Sequence, residues 1–300
     1  MIKVNNKTVP IKRFPDGTVN VKGNPTLNHG TVLISWYYEN DAEFMAVAFL
    51  TKYYQAHGNQ VDLYMPYVPN ARMDRIESAE DVFSMKYFGD MINSLNFQTV
   101  YVTDVHSSVA IAVIKNVRII QIDAIVNHVT NMITEATGED VLLFFPDEGA
   151  MKRYSKETNR PFAFGMKKRD WQTGKILGLD VLGMTADEIK GKNFLIRDDI
   201  CSKGGTFYYA AKKLKELGAN KIFLYATHCE KNILSGEFGE DKKNLLDTGL
   251  IEFVYTTNSI GCVPTNHKMI GVIGIDVGFA HEENECGCGC CHGGGCADEE

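Results

Sequence analysis

From Thr31 onward the chain alternates short apolar runs with amphipathic stretches, and this alternation restricts the fold more than any other feature. The apolar runs at residues 31–36, 61–65, 99–103, 117–122, 141–145, 194–196, 221–225 and 251–255 have strand length and β-rich composition. The clearest helical patterns cover 41–57, 81–95, 125–135 and 206–217, the last followed by Gly218 where a helix C-cap belongs. Repeated strand–helix–strand units give mainly parallel sheets, whose ligands sit beyond the carboxyl ends of the strands. The expected class is therefore α/β. The strands are too numerous for one simple sheet, so two stacked units are expected, with the change falling in the region 124–140. The division adopted is 1–128 and 129–280, followed by a tail, 281–300, rich in Cys, Gly and acidic residues.

A formal charge of −7 argues against a general nucleic-acid surface, so any phosphate must be met by a local pocket. No apolar stretch reaches membrane-spanning length, and the first residues (MIKVNNKTVPIKRF) lack the apolar core of a signal peptide. A cytoplasmic protein with neither membrane nor nucleic-acid partner is expected.

Four segments follow apolar strands with chemically useful groups, and a fifth adds cations. FLIRDDICSKGGT (194–206) runs from a strand through Asp198 and Asp199 into a glycine turn and a helix. Adjacent carboxylates can accept hydrogen bonds from vicinal ribose hydroxyls. Ser202, Lys203, Gly204, Gly205 and Thr206 can close backbone and side-chain donors on a phosphate at the helix N-terminus. Alternatively the run is an Asp- and Ser-capped turn. MPYVPNARMDR (65–75) carries Arg72, Asp74 and Arg75, either a bidentate phosphate site or a surface ion-pair turn. YVTDVHSS (101–108) places His106 past a strand, as a ligand for a divalent cation or triphosphate or as a structural histidine. FPDEGAMKRY (145–154) offers Asp147 to magnesium or a ribose hydroxyl, or as an N-cap. GMKKRDWQTGK (165–175), with Lys167, Lys168 and Arg169, is either a basic flap that closes on transferring phosphates or a solvated hairpin.

Taken in order, these segments resemble the ribose-phosphate pyrophosphokinase (phosphoribosyl pyrophosphate synthetase) family over most of residues 10–260. RFPDG (13–17) looks like the family's adenine-binding turn, YVPNARMDR like its ATP-binding arginine segment, and TDVHS like its metal-binding histidine turn. FPDEGAMKRY, MKKR and RDDICSKGGT follow as the metal-binding Asp turn, catalytic flexible loop and ribose-5-phosphate loop, and YATH (225–228) also fits. The resemblance implies two phosphoribosyltransferase-like α/β domains with the active site between them. It implies ATP bound by Phe14, Asp16, Arg72, Asp74 and His106, with Phe14 and Asp16 coming from a neighbouring subunit of a dimer-based homohexamer. Mg2+ is expected at His106 and Asp147, ribose 5-phosphate at Asp147, Asp198, Asp199 and Ser202 to Thr206, and catalytic cations at Lys167 and Arg169. The implied activity makes 5-phosphoribosyl 1-diphosphate and AMP from ATP and ribose 5-phosphate. The alternatives are a phosphoribosyltransferase that consumes the activated sugar, or a non-catalytic subunit associated with the synthetase.

The chain departs from the family pattern in places. Ser202-Lys203 replaces the usual Asp-Thr before the glycines, Gly149-Ala150 the usual Gly-Gly, and Thr18 a common Glu. SAEDV (78–82) replaces a Ser-Arg segment associated with an allosteric anion site, and its acidic groups would repel that anion. In the tail, Cys286, Cys288, Cys290, Cys291, His292 and Cys296 offer soft ligands for a structural Zn2+, or form a flexible thiol-rich segment.

Overall fold

The computed structural model describes residues 1–24, 30–169 and 176–276, with the side chains of 167–169 and 176–177 outside that description. The chain begins with β1 (Ile2–Val4) and β2 (Lys7–Thr8), then a small hairpin of β3 (Lys12–Arg13) and β4 (Val19–Asn20). The alternating pattern follows as β5 (Thr31–Trp36), α1 (Glu43–Ala56), β6 (Gln60–Tyr64), α2 (Ser84–Ser94), β7 (Val100–Thr103), α3 (Ser108–Val113) and β8 (Val117–Ile120). Next come α4 (Asp123–Thr137), β9 (Val141–Phe145), α5 (Glu148–Tyr154), β10 (Phe162–Arg169), β11 (Ile176–Leu182), α6 (Ala186–Ile189) and β12 (Asn193–Cys201). The described chain closes with α7 (Gly205–Glu216), β13 (Ile222–Cys229), β14 (Phe253–Thr257) and β15 (Ile270–Ile273).

These strands form a six-stranded sheet, β2-β1-β5-β6-β7-β8, and a seven-stranded sheet, β11-β10-β9-β12-β13-β14-β15. Each has a parallel centre, β5 to β8 and β10 through β9, β12, β13 and β14 to β15, with antiparallel strands at one edge. The α/β class and the two-sheet arrangement agree with the sequence pattern. Among the described residues no helix is long and apolar enough to cross a membrane.

Burial explains why the central strands read as continuous apolar runs. All eight residues of β13 are buried, as a parallel strand covered on both faces requires. Side chains alternate across the sheet. Phe144, Ile196 and Leu224 therefore pack with Phe207 and Leu214 of α7 on one face, while Phe145, Leu195 and Tyr225 pack with Val129 and Ile133 of α4 on the other. The first sheet has its own core, in which Ile34, Leu63 and Val102 meet Leu50 of α1 and Phe88 of α2. Helix α4 spans the boundary expected at residue 128, but its buried residues from Ile125 onward pack with the second sheet. The helix thus goes with the second unit, because its apolar stripe is complementary to β9 and β12.

Candidate active site

The carboxyl ends of β6, β7, β9 and β12 converge where the two sheets meet, and a cavity of about 1190 Å3 opens there. Arg72, Asp74, His106, Asp147, Asp198, Asp199, Ser202, Lys203, Gly204, Gly205 and Thr206 all line it. Eleven candidates scattered over 135 residues of sequence are therefore neighbours in space. The parallel topology is the reason, since it sends every crossover's starting loop to one end of its sheet.

Strand β12 continues beyond the expected 194–196 to Cys201, because β13 supplies ladder partners as far as the Cys201 and Cys229 pair. Asp198 and Asp199 consequently lie inside a strand, and successive side chains of a strand face opposite ways. Their environments differ accordingly. Asp199 is buried, with Oδ2 at 2.7 Å from His106 Nδ1 and Oδ1 at 2.8 Å from an Arg153 guanidinium nitrogen. Burial alone would raise its pKa, but the His106 hydrogen bond and the Arg153 charge hold the carboxyl well below the usual range. Asp198 is pushed up instead, by burial and then by the negative charge of Asp199.

After Cys201 the chain turns through Gly204, whose φ of +92° makes it the left-handed N-cap of α7. Glycine is needed there for two reasons: the left-handed backbone, and an added Cβ that would come 2.8 Å from Leu245 Cδ2. The first turn of α7 leaves N–H groups without intrahelical acceptors, and these border the cavity beside the exposed Lys203. Asp147 is the N-cap of α5, accepting from the Ala150 N–H at 3.0 Å while also lining the cleft. The N-cap and ligand alternatives for this residue are compatible.

Arg72 crosses to the second sheet, its Nη2 lying 2.5 Å from Glu230 Oε1. Asp74 pairs with Arg75 at 2.9 Å; burial works to raise its pKa, but the Arg75 and Ser107 contacts outweigh it and lower the pKa overall. Deeper, the buried Asp104 accepts from the hydroxyls of Tyr154 (2.8 Å) and Thr227, and its carbonyl faces His228 Nε2 at 3.1 Å. A carboxylate between two sheets requires such donors. Arg153, Glu230 and the Asp104 cluster were not singled out from sequence. Arg153 lies within a segment already marked and Glu230 just past a strand end, but no local spacing reports their long-range partners.

Other candidates lie elsewhere. Phe14 is 53% exposed on the β3–β4 hairpin, and Asp16 caps its own turn by accepting from Thr18 N at 2.9 Å and Thr18 Oγ1 at 2.7 Å. Neither lines the cleft of its own chain. Lys167, Lys168 and Arg169 belong to β10, which pairs antiparallel with β11; their side chains, and residues 170–175 of the expected flap, lie outside the described residues. So does the whole Cys-rich segment, including Cys286, Cys288, Cys290, Cys291, His292 and Cys296. Among the described residues no group of three His, Cys, Asp or Glu side chains is placed to hold a metal by itself. Magnesium in phosphate sites characteristically takes one or two carboxylates and completes its shell with substrate oxygens and water; Asp147 offers such a carboxylate, and His106 lines the same cleft.

No protein-family model matches the chain. It is similar to a curated ribose-phosphate pyrophosphokinase of Pyrococcus abyssi, at 27% identity over 92% of this chain and 91% of that protein. The enzyme of the same name from Thermococcus kodakarensis is 28% identical over 88% of this chain and 89% of its own length. Among solved structures, the phosphoribosylpyrophosphate synthetase of Mycobacterium smegmatis superposes with a TM-score of 0.68, covering 89% of this chain and 86% of that one at 21% identity. The similarity to this family seen in the motifs thus extends over nearly the whole chain, and the fold is shared.

Proposed function

We propose that this protein is a ribose-phosphate diphosphokinase, transferring the β,γ-diphosphoryl group of MgATP to the anomeric hydroxyl of ribose 5-phosphate. The hydroxyl oxygen attacks the β-phosphorus and loses its proton to solvent, the bond to the α,β-bridging oxygen breaks, and AMP leaves with that oxygen. The observation that carries this reading is one cleft holding a helix N-terminal phosphate loop, an unlike pair of carboxylates and a guanidinium–imidazole wall. Ser202 to Thr206 would hold the 5-phosphate, and Asp198 and Asp199 would accept from the ribose hydroxyls. Arg72, Asp74 and His106 would bind the nucleotide. His106 and Asp147 would hold Mg2+, which supplies charge neutralisation on the phosphates. Lys167 and Arg169 would stabilise charge developing on the transferred group.

Further parts of the proposal concern assembly. Phe14 and Asp16, exposed and remote from their own cleft, would complete the adenine pocket of a neighbouring subunit in a hexamer built from dimers. A structural Zn2+ in the tail would be bound by thiolates among Cys286 to Cys296 and by His292. Metal analysis of the intact protein and of a 1–284 truncation tests this; the absence of bound zinc under reducing conditions overturns it.

The deciding experiment incubates the purified protein with MgATP and ribose 5-phosphate and identifies products by mass spectrometry. Equimolar AMP and phosphoribosyl diphosphate are expected, and ADP or no turnover would sink the proposal. Lys167→Ala and Arg169→Ala should each lower kcat by roughly a hundredfold, as loss of a charge-stabilising donor does, with far less effect on ribose 5-phosphate KM.

A further inference from the structure

The two candidate substrate sites meet at Glu230, one residue past β13. Its backbone N–H donates to the carbonyl of Cys201 at 2.8 Å, and Cys201 is the last residue before the phosphate loop 202–206. Its side chain points the other way, to the guanidinium of Arg72 on the first sheet's side of the cleft, at 2.5 Å. The second carboxylate oxygen accepts from Asn232 Nδ2 at 3.2 Å, which steers the carboxylate. Tyr67 also touches the Arg72 guanidinium, and its ring packs edge-on against His228, two residues before Glu230. A half-exposed arginine has a long, mobile stem; here two groups fix it, Glu230 just past the strand beside the phosphate loop and Tyr67, which leans on that strand.

We propose that Glu230 is a positioning residue that aims Arg72 at the nucleotide phosphates and ties that aim to the state of the sugar-phosphate loop. The inference rests on the functional reading above, because it takes Arg72 as a nucleotide ligand and 202–206 as the phosphate loop. An arginine carries five N–H donors, so one nitrogen can stay on Glu230 while the others face a phosphate. Occupation of 202–206 is transmitted to Arg72 through one hydrogen bond and one ion pair. By linkage the effect is reciprocal, so each ligand changes the other's affinity by the same factor.

Calorimetry with α,β-methylene-ATP and Mg2+, whose α,β bond cannot react, with and without ribose 5-phosphate, tests this without turnover. In the unmodified protein ribose 5-phosphate should tighten the analogue about tenfold, within the usual range of such couplings. In Glu230→Ala the analogue alone should bind about tenfold more weakly, and the coupling factor should fall to near one. Glu230→Gln, which keeps the shape and loses the charge, should fall between and serves if the alanine variant folds poorly. Adding Glu230→Ala to Arg72→Ala should cost nothing further, since the carboxylate acts through that guanidinium. Unchanged or tighter analogue binding in both Glu230 variants overturns the inference, as does coupling that survives them. Binding of each ligand without mutual effect in the unmodified protein overturns it while leaving the functional reading intact. Failure of ribose 5-phosphate to bind at all overturns both.

Discussion

Arg197 shows how much a single residue of this chain can hold. Its guanidinium is buried in the second unit, 3.0 Å from Glu157 and 3.3 Å from Asp123, and stacks 4.0 Å from the centroid of the Tyr154 ring. The same tyrosine donates its hydroxyl to Asp104 of the first unit. Removing the guanidinium empties a buried site and leaves two carboxylates that are each about a third exposed, so Arg197→Ala should destabilise by about 2–3 kcal/mol. Urea unfolding checks it; a loss below 1 kcal/mol would mean the pairs contribute little. Asp81 works at the surface. Its Oδ2 accepts from the N–H groups of Glu77 at 2.7 Å and Ser78 at 2.8 Å, so an internal carboxylate occupies two backbone donors of this segment and adds negative charge against an external anion. Activation by inorganic phosphate and ATP-noncompetitive inhibition by ADP should accordingly be weak. An absolute phosphate requirement in initial-rate assays would contradict this.

Among the elements, β12 and the turn into α7 carry most of the site. Sequence places the strand at 194–196, because polar residues after Ile196 resemble a loop. β9 indeed pairs only as far as Ile196, while β13 continues the ladder to Cys201. That one-sided extension puts Asp198 and Asp199 in a strand and gives the pair its unlike surroundings. The turn is equally constrained. Gly204→Ala would place a Cβ in a left-handed residue, at about 1–2 kcal/mol, and against Leu245. The expected result is a ribose 5-phosphate KM raised at least tenfold with kcat less affected, read from sugar-phosphate saturation curves; a wild-type KM would show that the loop's shape is not what binds phosphate.

For the whole molecule, several contacts between the two units lie at or beneath the cleft: His106 to Asp199, Arg72 to Glu230, and Asp104 to Tyr154 and Thr227. Stability and site geometry are therefore linked. Asp199 titrates in the fold below its ordinary pKa of about 3.9, so its stabilising contribution is complete above that value and is lost as pH falls through the range beneath it. The unfolded chain takes up the proton first. Relative to the unmodified protein, Asp199→Asn should lower stability near neutrality but show a shallower further loss between about pH 5 and pH 2. Denaturant melts across that range decide the point, and parallel curves would show that the Asp199 pairing contributes no acid sensitivity.

Residue order alone dictates the class of fold and supplies most of the ingredients of the cleft. Short continuous apolar runs and period-3.6 apolar patterns mark which segments must be buried, and β9 and the first half of β13, read from sequence as 141–145 and 221–225, follow from that burial. Strand-end residues such as Arg72, His106, Asp147 and Gly204 were legible because parallel topology turns strand ends into ligand sites. The short edge strands β1, β2 and β15 were not, since a few residues carry no period. Tertiary structure alone decided that α4 packs on the second sheet, that Arg153 and His106 share Asp199, and that Glu230 reaches Arg72 across 158 positions of chain. Those facts depend on which surfaces fit when the units close. Local residue order encodes burial and turn chemistry, whereas the partners of a charge are set by the packing of segments far apart in the chain.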